Sequence, residues 1–150
     1  MLRELLLALA IGVSNIVIHA SGGIYLLKSS GTLRPLRDIS IPRVLWALAW
    51  FFLIILTLHI LETALWAEFY LWRGCFPDRE TSYYFSLMTY TTVGYGDVVL
   101  PRAWRLVGVL EAMTGVLLFG WSTAMLLALT SRFREFWDAQ KKVLREQDVN

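Results

Sequence analysis

One seven-residue segment of this chain, Thr-Thr-Val-Gly-Tyr-Gly-Asp, has the residue types and spacing of a cation-binding backbone loop. In it, Gly94 and Gly96 alternate with Val93 and Tyr95. Glycine adopts, without steric cost, the unusual backbone angles that make successive carbonyl groups face one way. Val93 and Tyr95 then point away and brace the strand, and the hydroxyl of Thr92 adds another oxygen. Such oxygens replace the hydration shell of a cation when several chains direct them at one axis.

Three stretches of the sequence are long enough to place this segment inside a membrane. A spanning helix needs about 20 apolar residues, and residues 5–27, 44–72 and 103–130 meet that length. Residues 81–91 form a shorter stretch, directly before the glycine-rich segment. Non-helical backbone at membrane depth is tolerated only where protein buries it or where it lines a watery cavity. The sequence therefore predicts a re-entrant segment between the second and third spans.

Residues 91–97 resemble the selectivity-filter signature of potassium channels, with a short helix before them and a full span after them. The resemblance extends over residues 44–130, which match the outer helix, pore helix, filter and inner helix of the two-helix pore family. It implies an all-α membrane protein with three transmembrane helices, a re-entrant pore helix and a selectivity-filter loop. It further implies a homotetramer, in which three identical subunits join this chain around one potassium-selective pore.

The resemblance also implies which residues bind the permeant ion. The carbonyl groups of four consecutive residues, together with the hydroxyl of Thr92, coordinate K⁺, and Gly96 completes the filter. The four residues are Thr92, Val93, Gly94 and Tyr95. Non-selective relatives commonly carry Asp in place of the filter tyrosine, so Tyr95 favours potassium selectivity.

Composition excludes several other classes of protein. Apolar residues make up 57% of the chain and its net charge is only +2, so it lacks the basic cluster that nucleic-acid binding needs. No nucleophile–base pair or metal cluster is visible, because His19 and His59 belong to different predicted helices. We therefore expect no enzyme activity, no organic cofactor and no nucleic-acid partner, with K⁺ and membrane lipid as the ligands. Cys75, the single cysteine, is either a free thiol or an intersubunit disulfide partner.

Charge placement predicts the topology, since basic loops stay in the cytoplasm. The linker before the second span and the tail after the third are basic, which predicts an external N-terminus and a cytoplasmic C-terminus in a bacterial-type inner (plasma) membrane. A cleaved signal peptide is the alternative for the N-terminal helix. The predicted divisions are an accessory helix (residues 1–28), a cytoplasmic linker (29–43), the pore domain (44–130) and an amphipathic tail (131–150).

The resemblance breaks at the support behind the filter. Many potassium channels pair a pore-helix carboxylate with the Asp that follows the filter, but the matching position here is Met88. Asp97 is present, and Tyr84 replaces the tryptophan that often bonds it. We expect Glu111, with Glu62 or His59, to brace the filter from the neighbouring helices and to make conduction proton-sensitive; an ordinary interhelical hydrogen bond is the alternative.

Small and polar residues on the spans give further expectations. Gly115 is either a gating hinge, which its distance from the filter suggests by resemblance, or a site of tight helix packing. Thr123 is a candidate for lining the inner cavity. Asn15 and His19 share one helical face, so this face should pack on protein rather than lipid. The tail is a short bundle, an interfacial helix or a continuation of the third span.

Two other functions remain open from the sequence. A non-conducting membrane adaptor would keep the filter but require other subunits. A piece of a potassium transporter would normally belong to a chain with four pore segments, each with a filter reduced to a single glycine. The one intact filter segment favours the channel over the transporter.

Overall fold

A computed structural model of the chain describes residues 2–31 and 40–148. Residue 1, residues 32–39 and residues 149–150 lie outside the described residues, so much of the predicted cytoplasmic linker is not described. All regular structure in the described ranges is helical: α1 (Leu2–Gly31), α2 (Ile41–Trp72), α3 (Arg79–Tyr90), a 3₁₀ turn (Arg102–Trp104) and α4 (Arg105–Asp148). The predicted all-α class is therefore confirmed.

Three of these helices are long and apolar enough to cross a membrane, namely those containing Leu2–Leu26, Ile41–Trp72 and Arg102–Glu135. The protein is thus a multi-pass membrane protein. Residues 29–31, assigned to the linker from the sequence, instead extend α1. The tail is a simple continuation of α4 through Asp148, the third of the alternatives left open by the sequence.

The short helix α3 begins at a side-chain cap. Asp78 accepts hydrogen bonds from the backbone N–H of Thr81 at 2.8 Å and from its hydroxyl at 2.9 Å. Such a cap satisfies backbone donors that the first helical turn leaves unpaired. The same hydrogen bonds, led by that from the backbone N–H, lower the pKa of the Asp78 carboxyl. The cap therefore sets where the helix that leads to the glycine-rich loop begins.

The helix α1 packs against both α2 and α4 of its own chain. Gly12 lies against Thr114 and Gly23 lies against Met125. Because the residue numbers of these contact pairs rise together on α1 and α4, the two helices run in the same direction. The polar face of α1 is buried against protein, as expected, and the side chains of Asn15 and His19 are fully buried.

The antiparallel partner of α1 is α2. The amide of Asn15 contacts the backbone carbonyl of Glu62 at 3.5 Å, whereas His19, one turn further along α1, lies against His59 at a ring-centroid distance of 5.2 Å. The residue numbers of these contact pairs rise on α1 while they fall on α2, so the two helices are antiparallel. These directions are those of a chain that crosses the membrane three times.

An aromatic cluster holds α3 between α2 and α4 near the start of α4. Tyr70 on α2 meets Phe85 on α3 edge to face, with ring centroids 5.4 Å apart, an arrangement that aromatic rings favour. Val107 on α4 is buried in the same cluster, and so is Cys75. Cys75 is a free thiol in the single chain and is 9% exposed; the intersubunit disulfide stays an alternative.

Candidate functional site

The loop after α3 has the backbone that the glycine spacing requires. Thr92, Gly94 and Gly96 have positive φ angles of 63°, 50° and 80°, while Val93 and Tyr95 between them do not. Backbone that alternates in this way directs successive peptide groups to one side. Threonine rarely adopts a positive φ, so the part that Thr92 plays in this alternation was missed by reasoning from the glycines alone.

Two backbone hydrogen bonds attach this loop to the end of α3. The N–H of Thr92 donates to the carbonyl of Thr89 at 3.0 Å, and the N–H of Gly94 donates to the carbonyl of Met88 at 3.1 Å. Met88, where the family pattern has a carboxylate, therefore contributes its backbone oxygen. The start of the loop is continuous with the C-terminal turn of the short helix.

The loop lies open on one face of the single chain. Val93 is 49% exposed and Tyr95 is 74% exposed. Beside them is an open, mainly apolar groove of about 630 Å³, whose lining includes Phe85, Leu100 and Gly108. Large apolar side chains beside such a groove are typical of a protein interface.

The end of the loop is tied to α3 by a side-chain hydrogen bond. The Tyr84 hydroxyl donates to Oδ2 of Asp97 at 2.8 Å. This bond to a carboxylate raises the pKa of the Tyr84 phenol. The alternation of φ therefore ends next to a residue that is fixed to the pore helix.

Behind α3, the buried carboxylate of Glu111 on α4 joins three helices. It accepts hydrogen bonds from the hydroxyl of Tyr70 on α2, at 2.8 Å, and from the hydroxyl of Ser86 on α3. The expected partners Glu62 and His59 are not among these contacts. Ser86 and Tyr70 were missed, although Ser82, Ser86 and Tyr90 recur at helical spacing and could have revealed the polar face of α3.

A second buried cluster surrounds Glu62 near the C-terminal end of α3. Its carboxylate accepts a 2.6 Å hydrogen bond from Tyr90 and lies 2.9 Å from His19 and 3.1 Å from His59. Ser122 on α4 contacts both imidazole rings. The cluster thus joins all four helices. No metal cluster was visible from the sequence, because His19 and His59 belong to different helices, but α1 and α2 bring the two rings together.

Two residues of α4 complete the predicted set. A Cβ atom at Gly115 would overlap the backbone carbonyl of Tyr90, which gives this glycine a packing role; the hinge stays a prediction. The side chain of Thr123 is exposed in the single chain, and its hydroxyl donates to the carbonyl of Phe119 at 2.9 Å. The cavity-lining role of Thr123 also stays a prediction.

A family model described as "Ion channel" matches residues 51–132, which is more than half of the chain. The chain therefore belongs to this ion channel family, whose domain is of the two-transmembrane, potassium-channel type. The family consists of transport proteins rather than enzymes. Comparison with curated proteins finds no match, and neither does comparison with solved structures.

Proposed function

We propose that this protein is a subunit of a potassium-selective channel that conducts K⁺ passively through a homotetrameric pore. The observation that carries the proposal is the alternation of φ at Thr92, Gly94 and Gly96 within the filter-like segment. The proposed ligands of the permeant K⁺ are backbone carbonyls of the filter and the hydroxyl of Thr92. The carbonyls belong to Thr92, Val93, Gly94 and Tyr95.

The tetramer follows from what one chain lacks. A single filter strand supplies oxygens from one side only, whereas a dehydrated ion needs them on all sides. Cyclic closure is the usual way for identical chains to surround an axis. The exposed Val93 and Tyr95 and the neighbouring groove give the next subunit a surface to cover.

The support of the filter is proposed to come from two directions. Tyr84 holds Asp97 at the end of the filter, while Glu111 holds α3 from behind through Ser86. Because Met88 offers only a backbone contact, the brace belongs to the inner helix α4 rather than to the pore helix. We propose that this arrangement replaces the carboxylate pair found in many potassium channels.

The proposed topology has the N-terminus outside and the C-terminus in the cytoplasm, in a bacterial-type plasma membrane. The common direction of α1 and α4 supports this assignment, as does the basic tail. Residues 44–130 are the proposed pore domain. Residues 1–28 are an accessory helix that packs on it, residues 29–43 are the linker, and residues 131–150 are the tail.

The test is ion flux in liposomes that contain only the purified chain. We expect K⁺ flux to exceed Na⁺ flux and to be blocked by Ba²⁺, and we expect cross-linking to yield a four-chain species. Tyr95→Asp should lower the K⁺/Na⁺ flux ratio, because Tyr95 braces the filter strand. Absence of flux with an intact tetramer would contradict self-sufficient conduction and favour the non-conducting adaptor. Equal K⁺ and Na⁺ flux in the wild-type protein would refute potassium selectivity.

A further inference from the structure

We propose that His19, His59 and Glu62 form a binding site for a divalent transition-metal ion of the Zn²⁺ class, separate from the proposed K⁺ pathway. Each residue offers one ligand atom, and these atoms all lie within 4.8 Å of one another. His19 and Glu62 are fully buried and His59 is 7% exposed. The site joins α1 to α2, and these two histidines are the only ones in the chain.

The ligand atoms converge as a metal requires. The Nδ1 atoms of His19 and His59 lie 2.9 Å and 3.1 Å from different oxygens of the Glu62 carboxylate. Bonds of about 2.0–2.2 Å in a tetrahedral zinc site separate neighbouring ligand atoms by roughly 3.3–3.6 Å. The two histidine–carboxylate separations therefore need to open by only a few tenths of an ångström, and all three ligand atoms lie within 4.8 Å of one another.

The donor set selects the class of ion. Two imidazole nitrogens and one carboxylate oxygen are the protein ligands of several zinc sites that keep a fourth position for water. Imidazole favours zinc and similar transition metals, whereas K⁺, Mg²⁺ and Ca²⁺ favour all-oxygen sites. The cluster is therefore chemically unlike the filter, whose ligands are all oxygens.

The outer contacts of the ligands are those of metal-binding residues. The Ser122 hydroxyl lies 2.9 Å from Nε2 of His59 and 3.1 Å from Nε2 of His19. It can accept a hydrogen bond from both Nε2–H groups, which leaves both Nδ1 atoms free for a metal. Tyr90 donates to Glu62 at 2.6 Å and orients its carboxylate. Such second partners fix the ring tautomer and raise ligand basicity.

Hydrogen counting defines the alternative to a metal. With Glu62 ionised and no metal, both Nδ1 atoms need a hydrogen to contact its carboxylate. Two neutral rings then present two bare Nε2 atoms to Ser122, whose single hydroxyl hydrogen serves only one of them. A metal at the Nδ1 atoms removes this mismatch, and so does one additional proton, on a ring or on Glu62. A cluster that carries this proton is the competing outcome of the test.

A metal at this site would fasten the accessory helix to the pore domain. Its ligands come from α1 and α2. Tyr90, the last residue of α3, connects them to the segment directly before the filter-like loop through its hydrogen bond to Glu62. Metal binding contributes folding energy when it links parts of a chain that separate on unfolding. We expect the metal to hold α1 in place and thereby to stiffen the support at the C-terminal end of α3.

The experiment titrates Co²⁺ and Zn²⁺ into chelator-treated, tag-free full-length protein in detergent. A Cys75→Ser background removes the only thiol. We expect about one Co²⁺ per chain with the visible absorption of tetrahedral cobalt, and a higher midpoint of thermal unfolding with Zn²⁺. His19→Gln and Glu62→Gln should each weaken binding by at least about tenfold, and Ser122→Ala by about 10–100-fold. Glu68→Gln, a change on the same helix outside the cluster, should bind like the parent protein.

Saturable binding that His19→Gln and Glu62→Gln both reduce, with Glu68→Gln unchanged, would support the site. No saturable Co²⁺ binding by the parent protein would overturn it and leave the protonated hydrogen-bonded cluster. Equal binding by the parent and by both cluster variants would also overturn it, since the metal would then be elsewhere. Because the readout is bound metal, failure of the proposed K⁺ conduction would leave this result intact.

Discussion

The hydroxyl of Tyr84 on α3 donates a 2.8 Å hydrogen bond to Asp97, the last residue of the filter-like segment. This bond connects the two ends of the re-entrant element, because Tyr84 belongs to the short helix and Asp97 to the loop that leaves it. Without it, the end of the loop would lose a side-chain anchor to α3. The effect of its removal is therefore a direct test of the proposed filter.

Replacing Tyr84 by Phe should lower the K⁺/Na⁺ flux ratio several-fold, because the loop end is then free to relax. The measurement is ion flux in liposomes with the purified variant. Tyr83→Phe is the matched control, since Tyr83 donates a 2.9 Å hydrogen bond to Glu68 instead. Selectivity that falls equally in both variants would point to a general loosening of α3 and contradict the specific role of Tyr84.

The pH range of this bond follows from the raised pKa of Tyr84, whose first cause is the hydrogen bond to Asp97. Because the pKa of Tyr84 is raised in the folded state, the stability that its hydrogen bond contributes is fully present below the ordinary phenol pKa of 10.0. That stability is lost as pH rises through the pKa of the folded protein. We expect the selectivity difference between wild type and Tyr84→Phe to persist at neutral pH and to shrink only in strong alkali. A difference that disappears near neutral pH would contradict the assignment.

Gly115→Ala should destabilise the protein by roughly 1–3 kcal/mol, the usual cost of overpacking, because the new Cβ would overlap the backbone carbonyl of Tyr90. Flux should fall as α4 is pushed away from the end of α3. Gly120→Ala is the control, since among the described residues of the single chain no atom beyond its chain neighbours and its own helix backbone lies within 4 Å of its Cβ position. Thermal unfolding in detergent measures both. If Gly115→Ala alters gating without loss of stability, the hinge explains this glycine better than packing does.

Glu111→Gln should cost about 0.5–1.5 kcal/mol, the net contribution of one hydrogen bond. The amide oxygen of Gln can accept from the hydroxyl of Tyr70, but its NH₂ group then faces Ser86, which keeps only the carbonyl of Thr63, at 3.0 Å, as an acceptor. We expect lower thermal stability and a reduced K⁺/Na⁺ flux ratio.

A pair of serine variants separates the brace from general packing. Ser86→Ala removes the link between Glu111 and α3, whereas Ser82→Ala removes a bond to the backbone carbonyl of Ala67. Both serines are fully buried on α3. Reduced selectivity in Ser86→Ala but not in Ser82→Ala is the expected result; the reverse order would refute the brace.

The cap of α3 should respond to acid. The hydrogen bonds from Thr81 lower the pKa of Asp78 below its ordinary value of 3.8, so the cap stabilises the protein above that value and is lost as pH falls through the folded one. Asp78→Ala should lower the unfolding midpoint at neutral pH and remove this acid dependence. Asp78→Asn, which keeps a capping side chain, should retain most of the stability. Equal midpoints for Asp78→Ala and the wild type at neutral pH would contradict the cap.

The number of spans and the position of the short helix could be read from the sequence, because both depend on local features. Apolar length decides whether a helix can cross a membrane, and Pro42 lies at the start of α2, where proline is favoured. The boundaries were less predictable: α1 continues through Gly31 and α4 through Asp148. Residues 29–31 are helical even though their composition suggested a loop.

The filter segment was also accessible from the sequence. The positions that need positive φ include Gly94 and Gly96, and glycine identifies such positions because it lacks a Cβ. Thr92 shows the limit of this reasoning, since its side chain gives no sign of a positive φ. The hydrogen bond from the Thr92 N–H to the carbonyl of Thr89, which attaches the loop to α3, is visible only in the folded chain.

The buried polar clusters were decided by tertiary structure alone. The sequence marked Glu111, Glu62 and His59 as ionisable groups inside spans, but it could not assign partners, since these depend on how each helix is rotated and offset against its neighbours. In the folded chain, Glu111 accepts hydrogen bonds from Ser86 and Tyr70. Glu62 contacts both histidines, including His19, which lies 43 positions earlier in the chain.

What the sequence by itself determined was therefore the local backbone chemistry: three apolar spans, a short helix and a glycine-spaced, filter-like segment after it. What only the tertiary structure decided was which buried polar groups meet. The physical reason is that backbone propensity and apolar length act within one element. A hydrogen bond between helices, such as those between Ser122 and the rings of His19 and His59, requires every helix to be in register at once.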